Sequence, residues 1–146
     1  MYEGDTNKAL VEFSKIISSS GEVLPATLGD VNIWAQTTDG KKVVGEQNID
    51  LGNYNTKVKT LKKVFLNPPD VKAYEPALAA INAADAIIVG PGDLFSTVLP
   101  VLIVPQIKKA FLKSKALKIF LINVANKPFE TTHFKVSDYL KALKDH

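Results

Sequence analysis

Apolar and polar positions along this chain follow two rhythms. Between Asn7 and Ile17, Leu10, Phe13 and Ile17 recur at spacings of three and four, with Ala9 and Ile16 widening the stripe. That spacing predicts an amphipathic helix, capped by Asp5 or Thr6 and ended by Ser18-Ser19-Ser20-Gly21. Glu22 to Ala26 reads as a short strand. From Val31 to Val44 the period drops to two: Val31, Ile33 and Ala35 alternate with Asn32 and Gln36, and Val43 and Val44 return after Asp39-Gly40. This is a hairpin with a two-residue turn. Ile49 to Tyr54 reads as a loop or a short edge. Val58 to Leu66 holds a strand centred on Lys62 to Leu66, stopped by Asn67-Pro68-Pro69.

Further along, Pro76 to Ala83 predicts a helix with proline in its first turn, followed by a strand from Asp85 to Val89. Leu94 to Leu99 predicts a short helix closed by Pro100. Pro105 to Lys113 predicts another, with Ile107, Ala110 and Phe111 facing inward. Leu117 to Val124 reads as a buried strand. Its Ile119-Phe120-Leu121-Ile122 core is apolar on both faces, as in a parallel sheet covered on both sides. Val136 to Lys144 forms a last helix with Ser137 as its cap. Strand and helix alternate in this later part, which predicts a three-layer α/β fold with a mostly parallel sheet and the hairpin as an antiparallel excursion. The 146 residues are enough for a single domain, 1–146.

Composition narrows the chemistry. The net charge is +3, and the lysines are spread along the chain, which is not the footprint of a nucleic-acid partner. All 18 basic residues are lysine. Without arginine, a bound phosphate must rely on backbone amides, hydroxyls and lysine. The absence of cysteine excludes disulfides, thiol catalysis and thiolate metal sites. Met1-Tyr2-Glu3-Gly4-Asp5 has no apolar signal core, and no run approaches the roughly 20 apolar residues of a membrane span. The expectation is a cytoplasmic protein with no membrane partner.

The segment Ala84-Asp85-Ala86-Ile87-Ile88-Val89-Gly90-Pro91-Gly92-Asp93-Leu94-Phe95-Ser96-Thr97 carries the candidate site. It reads as a buried strand, a sharp turn and the start of a helical turn. Ligands of open parallel sheets sit at such strand ends. Gly90 and Gly92 allow close approach to the backbone, and free N–H groups at a helix start favour an anion. Ser96 and Thr97 add hydroxyl donors. Asp93 either caps the helix or holds a divalent cation against a phosphate. Asn123, Asn126 and Thr131 follow the Leu117 strand and either line the ligand side or cap the strand end. Glu130-Thr131-Thr132-His133 suggests acid/base work, but His146 is the only other histidine. His133 reads as a surface loop residue, with no metal-binding spacing around it. Trp34 on the hairpin reads as packed against the sheet.

Pro76-Ala77-Leu78, Ala80-Ile81 and the Ala84 to Thr97 segment together resemble the gluconeogenesis factor family. So do Gly21-Glu22-Val23-Leu24-Pro25-Ala26-Thr27, Asp39-Gly40, Gly45-Glu46 and Ser114-Lys115-Ala116. Asn123-Val124, Pro128, Glu130-Thr131 and Ser137-Asp138 are similar to its closing block. That family groups with the 2-phospho-L-lactate transferases of deazaflavin synthesis, the CofD-like proteins. The resemblance implies a Rossmann-like α/β/α fold. It also implies a nucleotide-sugar-binding regulator of carbon metabolism and cell shape, or alternatively a phospholactyl transferase using a divalent metal such as Mg, or a non-functional truncated fragment. The ligand would be a nucleotide sugar or other phosphorylated small molecule, held by Gly90, Pro91, Gly92, Asp93, Ser96, Thr97 and Asn123. No residue is assigned to catalysis or to a metal, and no cofactor is required by the regulatory reading.

Nothing in the chain matches the family's glycine-rich nucleotide loop. The resemblance therefore implies a carboxyl-terminal portion, partnered by a separate amino-terminal half or by a second copy. Several residues depart from the family pattern. Asp93 stands where serine is usual, Val101 replaces asparagine, Lys127 and Phe129 replace glutamine and glycine beside Pro128, and Tyr139 replaces histidine.

Overall fold

The computed structural model describes residues 6–16, 20–54 and 60–146. The expected cap Asp5, the helix end at Ile17, Ser18 and Ser19, and the strand start at Val58 lie outside the described residues. Helix α1 spans Thr6–Ile16, and its Phe13 and Ile16 side chains are exposed. The segment Glu22 to Ala26 is not a strand; its Ala26 carbonyl accepts the Tyr74 N–H at 2.9 Å.

The hairpin forms as expected, with β1 at Asn32–Thr37 and β2 at Lys42–Val44. Its turn takes three residues instead of two. Thr37 N–H donates to the Lys41 carbonyl and Gly40 N–H to the Thr37 carbonyl. Gly40 has φ 87, the left-handed position such a loop requires. A short helix α2, Glu46–Asp50, takes the start of the Ile49 to Tyr54 stretch and buries Ile49, while Leu51 to Tyr54 is loop as expected.

Strand β3, Leu61–Asn67, pairs antiparallel with β1, so the order of this sheet is β2-β1-β3. The parallel arrangement expected for β3 does not occur. Both neighbours of β1 run against it, so this sheet has no parallel pair among the described residues, and the mostly parallel sheet expected is reduced to two strands further along the chain. The register shifts between Gln36 and Thr37, so Thr37 faces Leu61 and Gln36 faces Lys63. This extra residue lets Leu61 and Val64, three apart, both turn inward. On the outer face Trp34 stacks on Phe65 of the neighbouring strand, with ring centroids 4.0 Å apart. Trp34 thus packs on the sheet, as the pattern suggested.

Helix α3, Glu75–Ala83, leads into β4, Ala86–Val89. A five-residue π-helical turn, Leu94–Val98, then runs into α4, Leu99–Leu102. Pro100 does not close the preceding helix. It sits in the first turn of α4, directly after the π-helical turn. Helix α5 is Pro105–Lys113, with Ile107 buried, and β5 is Leu117–Phe120. β4 and β5 form a two-stranded parallel sheet, the parallel part of this α/β fold among the described residues. β5 stops four residues short of the expected Val124, which is fully exposed. Helix α6, Val136–Asp145, is capped through Asp138 rather than Ser137: the Lys135 N–H donates to Asp138 Oδ2 at 2.8 Å.

One core joins the two sheets. Ala35, Val43, Leu61 and Val64 from the antiparallel sheet pack with Leu94, Phe95 and Leu99, and with Tyr139 and Ala142 of α6. Phe95 is 1% exposed, so its ring alone contributes roughly 2 to 3 kcal/mol of burial. A second cluster, including Leu66, Val71, Val104 and Ile107, lies toward α5.

Candidate functional site

The glycine-proline-glycine loop sits where the pattern placed it, directly after β4 and beside the end of β5. The Leu121 N–H donates to the Val89 carbonyl at 2.9 Å, tying the two strand ends together. Gly90 has φ 86, and a Cβ there would meet the Leu121 carbonyl oxygen at 2.6 Å, so only glycine fits. The Gly90–Pro91 peptide is cis, and Pro91 is exposed. Asn123 grips Gly92 from both sides. Its Oδ1 accepts the Gly92 N–H at 3.2 Å, and its Nδ2 donates to the Gly92 carbonyl at 3.1 Å.

The start of the π-helical turn corrects the expectation of free amides. Glu130, fully buried, accepts the Phe95 N–H at 2.8 Å and the Ser96 N–H at 3.3 Å on one oxygen. Its other oxygen accepts the Ser96 hydroxyl at 2.5 Å. Thr97 and Val98 N–H groups both donate to the Asp93 carbonyl at 2.9 Å. A carboxylate from elsewhere in the chain therefore occupies the anion position of this helical turn. Burial raises the Glu130 pKa, and the bonds from Ser96 and Phe95 only partly oppose that. Ser96 is buried and committed to Glu130, whereas Thr97 is exposed.

Asp93 does not cap with its side chain. It pairs instead with Lys127, whose Nζ lies 2.9 Å from Asp93 Oδ2 and 2.8 Å from Asp50 Oδ1. The bonds to Asp50 and then Asp93 raise the Lys127 pKa, so this ammonium stays charged. Asp50, Asp93 and Glu130 bring carboxylate oxygens within 4.8 Å of one another, the one such group able to hold a cation among the described residues. The residues do not fit a divalent metal as they stand. Lys127 already bonds to two of the carboxylates, and both Glu130 oxygens are taken by the helical turn. An Mg ion would have to displace this lysine.

The 127–131 segment positions these groups. The Thr131 N–H donates to the Lys127 carbonyl at 3.0 Å, and the Lys127 N–H to Thr131 Oγ1 at 2.9 Å. Thr131 is 1% exposed, and its Oγ1 lies 3.1 Å from the Tyr139 hydroxyl, which is 3.0 Å from Asn126 Oδ1. Thr131 and Asn126 thus brace the closing segment. The Tyr54 hydroxyl donates to the Phe129 carbonyl. Burial and then the Glu130 charge push the Tyr54 pKa up to about 12. His133 is exposed, as expected of a loop residue.

Of the residues expected at the site, Gly90, Pro91, Gly92, Asp93, Ser96, Thr97 and Asn123 do lie together at the strand ends. Lys127 and Asp50 were not anticipated as part of it. No local pattern marks Asp50, which is 77 residues from its partner. For Lys127, the departure from glutamine beside Pro128 was the available signal.

The family model for 2-phospho-L-lactate transferase CofD matches residues 1–146. The Bacillus subtilis gluconeogenesis factor is 38% identical over 143 residues, 98% of this chain and 44% of that protein. The Halalkalibacterium halodurans gluconeogenesis factor is 38% identical over 98% of this chain and 43% of its own length. A crystal structure of the UPF0052-family protein BH3568 from Bacillus halodurans superposes with a TM-score of 0.84 at 37% identity. That match covers 95% of this chain and 44% of the other. The chain thus spans less than half the length of these relatives.

Proposed function

The chain belongs to the CofD family, and from that premise we propose that it serves a cytoplasmic nucleotide-sugar-binding regulator of the gluconeogenesis-factor kind, acting in carbon metabolism and cell-shape control. The observation that carries this reading is its 38% identity, over 98% of its residues, to proteins named gluconeogenesis factor. The geometry supports a modified version of the ligand site. Gly90, Pro91, Gly92, Asp93 and Thr97 form the contact edge, with Pro91 and Thr97 exposed. Asn123 and Ser96 act behind them, holding Gly92 and Glu130. With no arginine in the chain and the Gly92, Phe95, Ser96, Thr97 and Val98 N–H groups already engaged, the phosphates would rely on the Thr97 hydroxyl and on lysine donors.

The test is calorimetric titration of the chain with a panel of uridine-diphosphate sugars, repeated with Thr97→Ala. Binding weakened about tenfold by that exposed substitution supports the reading. Absence of heat and of any thermal shift across the panel overturns it. A transferase acting on a deazaflavin is the second reading, favoured by the description of the matching family model. It is weakened by the lysine that fills the carboxylate cluster. Metal-dependent turnover with a deazaflavin acceptor would restore it.

A further inference from the structure

Charge is placed unevenly along this chain. From Leu94 to Phe129 there are six lysines and no aspartate or glutamate. The whole chain is +3, so this stretch carries +6 and all other residues together carry −3. Lys127 is spent on Asp50 and Asp93. The other five, Lys108, Lys109, Lys113, Lys115 and Lys118, are exposed. Among the described residues, none of the five pairs with a carboxylate side chain. A solvated helix face ordinarily mixes both signs, as α6 does with Asp138, Lys141, Lys144 and Asp145.

The fold gathers these five lysines around one helix. At about 100° per residue, Lys108, Leu112, Lys109 and Lys113 share an arc of about 140° on α5. Ile107, Ala110 and Phe111 take the opposite side, where Ile107 is buried. Leu112 falls between Lys108 and Lys109 in that arc and is 67% exposed. Lys118 joins the same patch. Its Nζ donates to the Ser114 carbonyl at the end of α5 at 2.6 Å and lies 5.6 Å from the Phe111 ring centroid. Carboxylates reach only the margins: Asp85 lines a notch with Lys113 and Lys115, and Asp145 lines another with Lys108.

Five ammoniums with no acid among them attract a surface of diffuse negative charge. Three features select a lipid surface as the occupant. The exposed leucine sits amid the ammoniums, placed to enter the acyl boundary while they meet the headgroups. The chain has no arginine to clamp individual phosphates in a bidentate way. The ring of this patch, Phe111, is half-buried beneath Lys118, so it offers no stacking platform of the kind that binds single-stranded nucleic acid. No single helix among the described residues is long and apolar enough to cross a membrane, so the contact is with the bilayer surface. We propose that the outer face of α5, with Lys115 and Lys118 beside its end, seats the protein on anionic lipid headgroups and inserts Leu112 between them. This departs from the expectation of no membrane partner, which treated the lysines as spread along the sequence. It stands on the charge geometry of α5 and does not require the nucleotide-sugar reading.

The test is co-sedimentation of the 146-residue chain with vesicles of equal parts phosphatidylglycerol and phosphatidylcholine, and with vesicles of phosphatidylcholine alone. Partitioning onto the half-anionic vesicles should be at least about tenfold stronger, and should fall at least about tenfold as NaCl rises from about 0.05 M to about 0.5 M. Lys109→Glu combined with Lys115→Glu should lose at least about tenfold, and Leu112→Gln at least about threefold. Lys62→Glu combined with Lys141→Glu makes the same change of charge outside the patch and should lose less than about threefold. All these side chains are exposed, so the variants should keep the parent unfolding midpoint. Failure to sediment with the anionic vesicles overturns the proposal. An equal loss in the Lys62 and Lys141 variant also overturns it, because net charge would then be the cause. So does Leu112→Gln partitioning as the parent does, or tighter binding to a polyuridine RNA than to the vesicles.

Discussion

Glu130 receives both the backbone N–H and the hydroxyl of Ser96, two bonds to one residue across 34 positions of sequence. With the Phe95 N–H added, the carboxylate satisfies the opening of the π-helical turn that follows the glycine loop.

Glu130→Ala should strand two buried N–H groups and cost on the order of 3 kcal/mol. Glu130→Gln keeps the shape and should cost less than about 1 kcal/mol near neutral pH. The pH dependence has a definite sign. Burial raises the Glu130 pKa above its ordinary 4.5. Its ionisable contribution is therefore fully present below pH 4.5 and declines as pH rises through the folded-state value. Urea denaturation of parent and Glu130→Gln from pH 4.5 to 8 should show the parent's relative advantage shrinking with pH. Parallel curves would refute this.

His146 should act in the opposite direction. Its Nε2 accepts the Val64 N–H at 3.0 Å, which requires an unprotonated nitrogen, and Nδ1 faces the Ala142 carbonyl. Burial lowers its pKa from 6.5. The groups around it are Lys63, Lys108 and Asp145. The stability it contributes is present above pH 6.5 and is lost as pH falls toward the folded-state value. Thermal unfolding of His146→Asn should be flatter between pH 7.5 and 5.5 than that of the parent. Equal slopes would remove His146 from the account.

Lys127→Gln should cost under about 1 kcal/mol, because the pair side chains are 29% exposed and solvent screens them. The larger effect should be on cations. With the ammonium gone, Asp50 and Asp93 face each other uncompensated. Millimolar Mg should then raise the melting temperature of the variant and leave that of the parent unchanged. An identical response in both proteins would contradict the placement of Lys127 as internal counter-ion.

Gly52 and Phe129 should be coupled. Gly52 has φ 65, and a Cβ there would lie 2.3 Å from Phe129 Cγ. Phe129 itself has φ 76, where a bulky residue is strained by about 1 to 2 kcal/mol. Gly52→Ala should destabilise the chain by about 2 kcal/mol or more. Phe129→Gly should cost far less than a buried Phe truncation, because strain relief offsets the lost half-buried ring. In the double variant the Gly52→Ala cost should fall by about 1 kcal/mol. A strictly additive cycle from denaturant melts would disprove the contact.

How much of this was legible beforehand depended on range. Helix α5 runs from Pro105 to Lys113 as read, because the apolar stripe and both ends are local signals. The hairpin and the glycine turn after β4 were equally local. The pairing of β3 with β1 was not, since only contacts across the sheet fix it. β5 was read too long because its apolar run continues to Val124, whereas its partner β4 ends at Val89, which bonds no further than the Leu121 N–H. At the site, Gly90 was correctly marked for a special backbone shape. Its neighbouring amides were misjudged, because Glu130 reaches them from 35 residues away. The departure noted at Phe129 did carry information: a position expected to hold glycine has a left-handed backbone.

Glu130 also has a second allegiance. Its carbonyl accepts the Leu61 N–H at 3.2 Å, and the adjoining Thr131 bridges to Thr60. Its main chain thus belongs with the antiparallel strands, while its carboxylate belongs with the turn after the parallel ones. One residue is the rivet between the two halves of this molecule. The two sheets are thus tied by hydrogen bonds through a single buried side chain as well as by their shared apolar core.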